Sequence, residues 1–196
     1  MKPARVALAR KSPDEIEMTP QEIVDKAKAD LGEAIALGEV TLGDAILHVT
    51  PESFREVAKY LKKDAAMDFN YLSQTTGVDY LEQDREPRFE AVYDLHSLTK
   101  NHTVRVRVGL DEDEPVVPTV SDIWKGALFP EREMFDMFGF EITDHPNLKR
   151  LIMPQDWEGH PLRKDYPLVW EDIAFSHNAE HKSELVKTKA EYETED

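Results

Sequence analysis

Strict alternation of apolar and polar residues over residues 103–108 constrains the fold of this chain more than any other feature. Val104, Val106 and Val108 alternate with one threonine and two arginines. Successive side chains of a β-strand point to opposite faces, so this spacing predicts a strand with one buried and one solvated face. An earlier run has the same spacing, with apolar residues at Phe89, Ala91, Tyr93 and Leu95. The two runs predict antiparallel neighbours joined through residues 99–102.

Two amphipathic helices are predicted before these strands. Thr19, Pro20 and Glu22 form a typical helix start, because threonine can cap, proline suits the first helical position and glutamate completes a capping box. A stripe at helical spacing then runs through Ile23, Ala27, Leu31 and Ile35 to an end near Gly38. A short strand over residues 45–49 follows, and Pro51 opens the second helix. The apolar face of that helix consists of Phe54, Val57, Ala58 and Leu61.

Further elements are predicted on either side of the strand pair. Alternation at residues 69–71 and a β-type run near residues 78–81, after Gly77, predict more β-structure. Later in the chain, Ser121 can cap a short helix. The apolar side of that helix would consist of Ile123, Trp124, Ala127 and Leu128. Pro130 is predicted to start the next helix, which stops at Gly139.

This order of elements predicts an α+β fold: a small mixed sheet with helices packed on one face, followed by an extended irregular C-terminal strip. The predicted organisation is a disordered basic N-terminus (residues 1–18), the α+β domain (19–148), an interaction strip rich in Pro and Trp (149–170) and an acidic tail (171–196). The strip lacks helical or strand periodicity, yet it contains Trp157 and Trp170. A segment of this kind needs a surface to lie on, which either its own domain or a partner protein supplies.

Composition argues against several classes of function. The formal net charge of −16 argues against nucleic acid as the main partner, because binding to phosphates requires a basic surface. The chain has no cysteine, which removes disulfides, thiolate metal sites and cysteine-ligated iron–sulfur clusters. No stretch approaches the ~20 apolar residues of a membrane-spanning helix.

Two groups of residues could carry catalysis or a metal, and each also has a simpler interpretation. Glu131, Glu133 and Asp136 could act as catalytic carboxylates, and Glu133 and Asp136 lie three apart on the last predicted helix and can share a face. The favoured interpretation is a helix anchored by ion pairs, for which Arg132 and Asp136 are suitably spaced. His177 and His181 could share a divalent metal on a helix, but a solvated face of the acidic tail is favoured.

The densest pattern of charged, aromatic, glycine and proline residues lies between residues 131 and 166, in two blocks. The first block consists of Glu131, Arg132, Glu133, Asp136, Phe138, Gly139, His145, Pro146, Leu148 and Arg150. The second block consists of Asp156, Trp157, His160, Pro161, Arg163, Lys164, Asp165 and Tyr166. The second block has the residue types of a protein interface, because Trp, Tyr and Arg dominate interface energetics. Folding back of Trp157 on its own domain is an equally good interpretation.

The two blocks closely resemble the signature of the thirty-kilodalton-subunit family of respiratory NADH:quinone oxidoreductase (complex I). The resemblance extends over residues 45–168 and is most specific in its last third. It departs from the usual pattern at Phe140, Asn147 and Lys149. The resemblance implies a scaffold and assembly subunit of the hydrophilic arm, in a complex that passes electrons from NADH to quinone and translocates protons. It implies no active site and no cofactor on this chain. NADH, FMN, iron–sulfur clusters and quinone would be bound by the parent complex.

The resemblance also implies partners and a location. The large quinone-site subunit and the iron–sulfur subunits would be the neighbours, on the cytoplasmic face of a bacterial plasma membrane or the matrix side of the inner mitochondrial membrane. On this hypothesis the strip lies across the large subunit, with Trp157 and Tyr166 as anchors. Buried ion pairs to that subunit would involve Arg150, Asp156, Arg163, Lys164 and Asp165.

Two alternatives remain open at this point. Membrane-bound hydrogenases and other quinone- or ferredoxin-linked complexes use homologous subunits, so the resemblance does not identify the electron donor. A free-standing carboxylate hydrolase would instead require a pocket around Glu133 and Asp136.

Overall fold

The computed structural model of the chain describes residues 18–81, 83 and 85–166. The predictions for the basic N-terminus, for His177 and His181 and for the acidic tail lie outside these residues. Three α-helices and seven strands are described: α1 (Pro20–Leu31), β1 (Leu37–Thr41), β2 (Asp44–Val49), α2 (Pro51–Lys63), β3 (Tyr71–Asp79), β4 (Phe89–Ser97), β5 (His102–Leu110), β6 (Val116–Pro118), α3 (Leu128–Phe138) and β7 (Glu141–Thr143). Short 3₁₀ turns lie at Gly32–Ala34 and Lys125–Ala127.

The main sheet has five strands in the order β1-β2-β5-β4-β3. The central pair β2 and β5 is parallel, and every other neighbouring pair is antiparallel. The predicted hairpin is β4 followed by β5, with Tyr93 opposite Val106 and Ala91 opposite Val108. Strands β6 and β7 form a separate parallel pair next to α3.

One face of the main sheet carries the core, as the alternation of residues 103–108 predicts. The Tyr93 ring lies 4.5 Å from the ring of Phe54 on α2, measured between centroids. On the opposite face, Asp94 is paired in register with Arg105, and the two side chains form an ion pair at 2.7 Å. The α+β fold with a mixed sheet and helices on one face is therefore confirmed.

The first helix ends earlier than the apolar stripe predicts. The Thr19–Glu22 capping box is present, but α1 stops at Leu31 because Gly32 has a φ of +53°. Ile35 is buried although it lies beyond the helix. The following residues form β1, which pairs with β2 as a hairpin through Leu42 and Gly43. The prediction of a helix reaching Gly38 was wrong.

The region around the last helix also differs from the prediction. Ser121 lies in a turn rather than at a helix cap, and α3 begins at Leu128 instead of Pro130. The predicted end at Gly139 is confirmed: its φ is +72°, and its N–H donates to carbonyl groups in the last turn. Strands β6 and β7 were not predicted.

Candidate functional site

Helix α3 lies against β3 through an unusually close contact. A Cβ atom on Gly77 would lie 2.7 Å from the Phe138 ring, so a glycine is required there. Met134, Met137 and Phe138 are buried, in agreement with the interpretation of α3 as a helix that packs on the core. Its buried polar residues are Glu131 near the first turn and Asp136 near the last.

Asp136 is a buried carboxylate that binds the chain beyond the helix. One oxygen accepts a hydrogen bond from the Arg150 guanidinium at 2.7 Å. The other accepts backbone N–H groups of Leu151 at 2.9 Å, Ile152 at 2.7 Å and Met153 at 2.9 Å. Burial alone would raise the pKa of Asp136, but the N–H donors and Arg150 outweigh it and hold that pKa below its usual range. The carboxylate therefore fixes the path of the chain over four consecutive residues.

Arginine side chains extend this attachment on both sides of Asp136. Arg150 also donates to the carbonyl oxygens of Trp157 at 2.9 Å and Gly159 at 3.3 Å. Arg132 donates to the carbonyl oxygens of Lys149 and Arg150, both at 2.9 Å. The spacing-based expectation of an Arg132–Asp136 ion pair was wrong, because Arg150 occupies that carboxylate.

The C-terminal end of α3 binds the strip through its last carbonyl groups. The Nδ1 atom of His160 lies 3.0 Å from the Asp136 carbonyl oxygen, and Arg163 donates to the Phe138 carbonyl at 2.6 Å. Between them, the Leu162 N–H donates to the Met137 carbonyl at 3.0 Å. The last carbonyl groups of a helix lack partners within the helix and carry partial negative charge, so arginine donors suit them.

The far end of the strip is attached to the sheet. Asp79 at the end of β3 is buried and accepts the Lys164 N–H at 2.7 Å. Arg88 bonds to the same carboxylate at 3.0 Å and to Asp165 at 2.8 Å. The Arg163 guanidinium lies 5.1 Å from the centre of the Phe89 ring. Asp79 and Arg88 were not predicted as site residues, because they are far from the strip in sequence and belong to no recognised motif.

These contacts show where the predicted site residues lie. In the described part of the strip, residues 149–166, called the C-terminal strip below, the side chains of Arg150, Arg163 and Asp165 bind within the chain. Asp156 and Lys164 are exposed, whereas Trp157 and Tyr166 are half-buried. A Cβ on Gly159 would lie 2.8 Å from the Tyr166 ring.

The outward surface of the C-terminal strip is partly apolar. Leu151 is 38% exposed, Ile152 57% and Leu162 45%. Phe129, at the start of α3, is 62% exposed, and the Arg132 guanidinium lies 5.8 Å from its ring centre. Because Arg132 also bonds to residues 149 and 150, Phe129 is close to this apolar surface.

The catalytic candidates Glu133 and Asp136 do not share a site, and the third candidate, Glu131, lies near the other end of α3 from Asp136. Glu133 is exposed, whereas Asp136 is buried and all four of its donors come from Arg150 and the following backbone. No group of three or more His, Asp or Glu residues in the described ranges could hold a metal ion. Across the same ranges, no helix has the length and apolar character needed to span a membrane.

Glu131 and His145 form a second buried cluster at the start of α3. Glu131 accepts the Val120 N–H at 2.8 Å and the Thr119 hydroxyl. The His145 side chain is buried, with Nε2 at 3.8 Å from the carboxylate. Burial raises the pKa of Glu131 to about 7, against the opposing hydrogen bonds from Thr119 and Val120. These contacts connect the start of α3 with the segment after β6 and the segment after β7.

The chain matches a known family over most of its length. A family model described as the 30 Kd subunit of respiratory-chain NADH dehydrogenase matches residues 47–171. An NADH-quinone oxidoreductase subunit of Roseiflexus sp. (strain RS-1) is 47% identical over 156 residues, covering 80% of this chain and 88% of the relative. The subunit of the same name from Caulobacter vibrioides is 42% identical over 154 residues, covering 79% and 74%.

Two solved structures share the fold. A trypsin-resistant fragment of Nqo5 is 35% identical with a TM-score of 0.58, covering 67% of this chain and 100% of the fragment. A chain of a membrane-bound sulfane sulfur reductase, an archaeal respiratory membrane complex, is 24% identical with a TM-score of 0.62, covering 76% and 85%. At this lower identity the second comparison shows a shared fold alone.

Proposed function

This chain belongs to the family of the 30 Kd subunit of respiratory-chain NADH dehydrogenase, and from that premise we propose that it is a scaffold subunit in the hydrophilic arm of an NADH-quinone oxidoreductase. The parent complex would pass electrons from NADH to quinone and translocate protons. FMN, iron–sulfur clusters and the quinone site would belong to other subunits. This chain would hold the large quinone-site subunit and the iron–sulfur subunits together, peripheral to the membrane and attached to it only through the complex.

One observation carries this proposal: the polar groups of the family signature bind the strip from the inside. Asp136 and the last carbonyl groups of α3 accept hydrogen bonds from the strip. These bonds fix the conformation of the strip, although it contains neither a helix nor a strand. Leu151, Ile152 and Leu162 then remain on the outside. Apolar side chains held outward on a fixed irregular segment are typical of a protein interface.

The contacts within the chain support a proposal about which side chains would meet the partner. Arg150, Arg163 and Asp165 bind within the chain, so we propose that they shape the interface rather than form ion pairs across it. Asp156 and Lys164 are exposed and are proposed to pair with the partner. The other proposed contacts are the apolar Leu151, Ile152 and Leu162 and the exposed edges of Trp157 and Tyr166.

A second candidate is a subunit of a related respiratory complex with another electron donor or acceptor. Fold and family motif do not identify an electron donor, which keeps this candidate open to the test below. A free-standing carboxylate hydrolase is not proposed, because Glu133 is exposed and Asp136 is fully occupied by internal donors.

The experiment is co-purification of the tagged full chain from mildly solubilised membranes, with mass spectrometry and an NADH:quinone assay on the eluate. We expect a large quinone-site subunit, iron–sulfur subunits and NADH activity. Recovery of reductase or hydrogenase subunits would select the second candidate. Recovery of this chain alone from active membranes would contradict the scaffold role.

Substitutions locate the contact surface in the same assay. Leu151→Asp and Ile152→Asp place a charge on the apolar surface and are expected to abolish co-purification while leaving the thermal unfolding of the isolated chain unchanged. Leu42→Asp is the matched control, because Leu42 is fully exposed at a hairpin turn with a φ of +54°, a conformation that aspartate tolerates. Normal recovery of the complex by both strip variants would contradict the proposed interface.

A further inference from the structure

Glu131 is a buried carboxyl group without a positively charged partner in direct contact. Its side chain is 0% exposed, and the donors at hydrogen-bond distance are the Val120 N–H and the Thr119 hydroxyl. The nearby imidazole of His145 accepts the Asn147 N–H at Nδ1, at 3.1 Å. The ring proton is therefore on Nε2, which lies 3.1 Å from the Leu128 carbonyl oxygen. Nε2 therefore faces Leu128, and the carboxylate oxygen lies further away, at 3.8 Å.

The other ionisable groups near Glu131 do not compensate a negative charge on its carboxylate. Arg55 on α2 is engaged by Asp122 at 2.8 Å, so the two charges oppose each other near the carboxyl group. From β4, Tyr93 is buried, and its hydroxyl has no hydrogen-bond partner in the described part of the chain. A negative charge on Glu131 would raise the pKa of Tyr93 further above its ordinary value, after the larger effect of burial. An ionised carboxylate is consequently unfavourable at this position, and burial raises the pKa of Glu131 to about 7.

A pair of hydroxyl groups connects this buried carboxyl with solvent. Thr119 Oγ1 bonds both to Glu131 and to Ser121 Oγ, the latter at 2.8 Å. Thr119 and Ser121 also line a surface cleft of about 430 Å³, together with Lys125 and Asp144. Hydroxyl groups can reverse the direction in which they donate, so a chain of two can pass a proton without movement of the backbone.

We propose that Glu131 is a proton-binding site of this subunit, in exchange with solvent through the hydroxyl groups of Thr119 and Ser121. In the protonated form, Glu131 donates to Thr119, Thr119 donates to Ser121, and Ser121 donates into the cleft. On release, the carboxyl proton moves to Thr119 Oγ1, the Thr119 proton moves to Ser121 Oγ, and the Ser121 proton passes to a water molecule. The Val120 N–H donates to the carboxyl group in both states, so α3 keeps its position.

The ligand of this site is a proton, and the site would be partly occupied at neutral pH. Proton binding at Glu131 is independent of the scaffold role, because it involves only contacts within this chain. Two acidic residues of the family signature then have separate roles. Asp136, at the end of α3, shapes the strip, whereas Glu131, at its start, binds a proton.

The test is a titration of the full chain labelled with ¹³C at glutamate side-chain carboxyl groups. We expect one carboxyl resonance with a midpoint near pH 7 and its disappearance in Glu131→Gln. If every glutamate resonance titrates at or below the ordinary pKa of 4.5, the proposal is wrong. Thr119→Val provides a second assignment should Glu131→Gln fail to fold. Loss of its hydroxyl removes a bond to the carboxylate and should move the same midpoint upward.

The hydroxyl route has its own readout. Ser121 does not contact the carboxyl group directly in the described bonds, so Ser121→Ala should leave the midpoint nearly unchanged. We expect a slower exchange of the Glu131 proton, seen as broadening of its resonance near the midpoint. An unchanged line shape in Ser121→Ala would overturn the proposed route.

Discussion

Replacing Asp136 by asparagine is expected to detach the C-terminal strip from α3 without unfolding the domain. The aspartate carboxylate is fully buried and receives Arg150 on one oxygen and three backbone N–H groups on the other. Asparagine has the same shape but only one acceptor oxygen. If that oxygen keeps the N–H groups, the amide NH₂ faces the Arg150 guanidinium, and two donors then oppose each other.

The magnitude follows from the charge that loses its partner. Removing one member of a buried ion pair costs roughly 3–5 kcal/mol. Arg150 is 15% exposed, and the asparagine oxygen can retain the N–H groups, so we take the lower end, about 3 kcal/mol. Because about 1.4 kcal/mol is a factor of ten, the strip should open roughly a hundredfold more often. Most core side chains belong to the sheet and the helices, and Met153 of the strip only packs against them, so the core should keep most of its free energy of unfolding.

Amide hydrogen exchange of Leu151, Ile152 and Met153 measures this opening directly. We expect roughly hundredfold faster exchange at these three amides and little change in β4 and β5. Arg150→Met completes a double-mutant cycle with Asp136→Asn. The double variant should lose less than the sum of the single losses, since no charge is left without a partner. Unchanged exchange at residues 151–153 in Asp136→Asn would refute the role assigned to Asp136.

Two further predictions concern the ends of α3. Glu131 has an unfolded pKa of 4.5 and a folded pKa of about 7, so protonation stabilises the folded chain. That contribution is complete below pH 4.5 and lost as the pH rises to 7. The free energy of unfolding, measured with urea, should therefore decrease by about 3 kcal/mol from pH 4.5 to pH 7. The Glu131→Gln variant should lack this decrease. The second prediction is that Gly139→Ala lowers the free energy of unfolding more than Gly43→Ala does. Both glycines have positive φ, but a Cβ at Gly139 would lie 2.6 Å from His160, whereas Gly43 has nothing within 4 Å. Equal decreases in the free energy of unfolding for the two variants would exclude a contribution from the contact with His160.

The fold was predictable where burial repeats along the sequence. Strand β5 was predicted because each second residue of 103–108 faces the core, and the hairpin with β4 followed from the same period. Strand β1 was not predicted. It is an edge strand whose residues are mostly exposed, so its sequence shows no alternation of apolar and polar residues. The helix stripe also ran on past Gly32, whose positive φ ended α1. Strands β6 and β7 have three residues each, too few to show a period.

The candidate site was predictable as a set of residues but not as a set of contacts. The signature identified Glu131, Asp136 and Arg150, yet not that Arg150 would bind Asp136, 14 positions earlier. Asp79 and the Lys164 N–H are 85 positions apart, and no local pattern connects them. Periodicity reports which face of an element is buried. It carries no information on which distant polar groups satisfy one another.

The residues of the family signature order the C-terminal strip through contacts within the chain. Ordering a residue costs about 1–2 kcal/mol of backbone entropy, and an irregular segment has no helix or sheet hydrogen bonds to offset this. Here Asp136, Arg132 and the end of α3 supply those bonds inside the protein. The strip is therefore ordered within the chain alone, and docking on the proposed partner would lose less conformational entropy. It follows that substitutions at Asp136 or Arg150 should impair assembly although neither side chain needs to touch the partner.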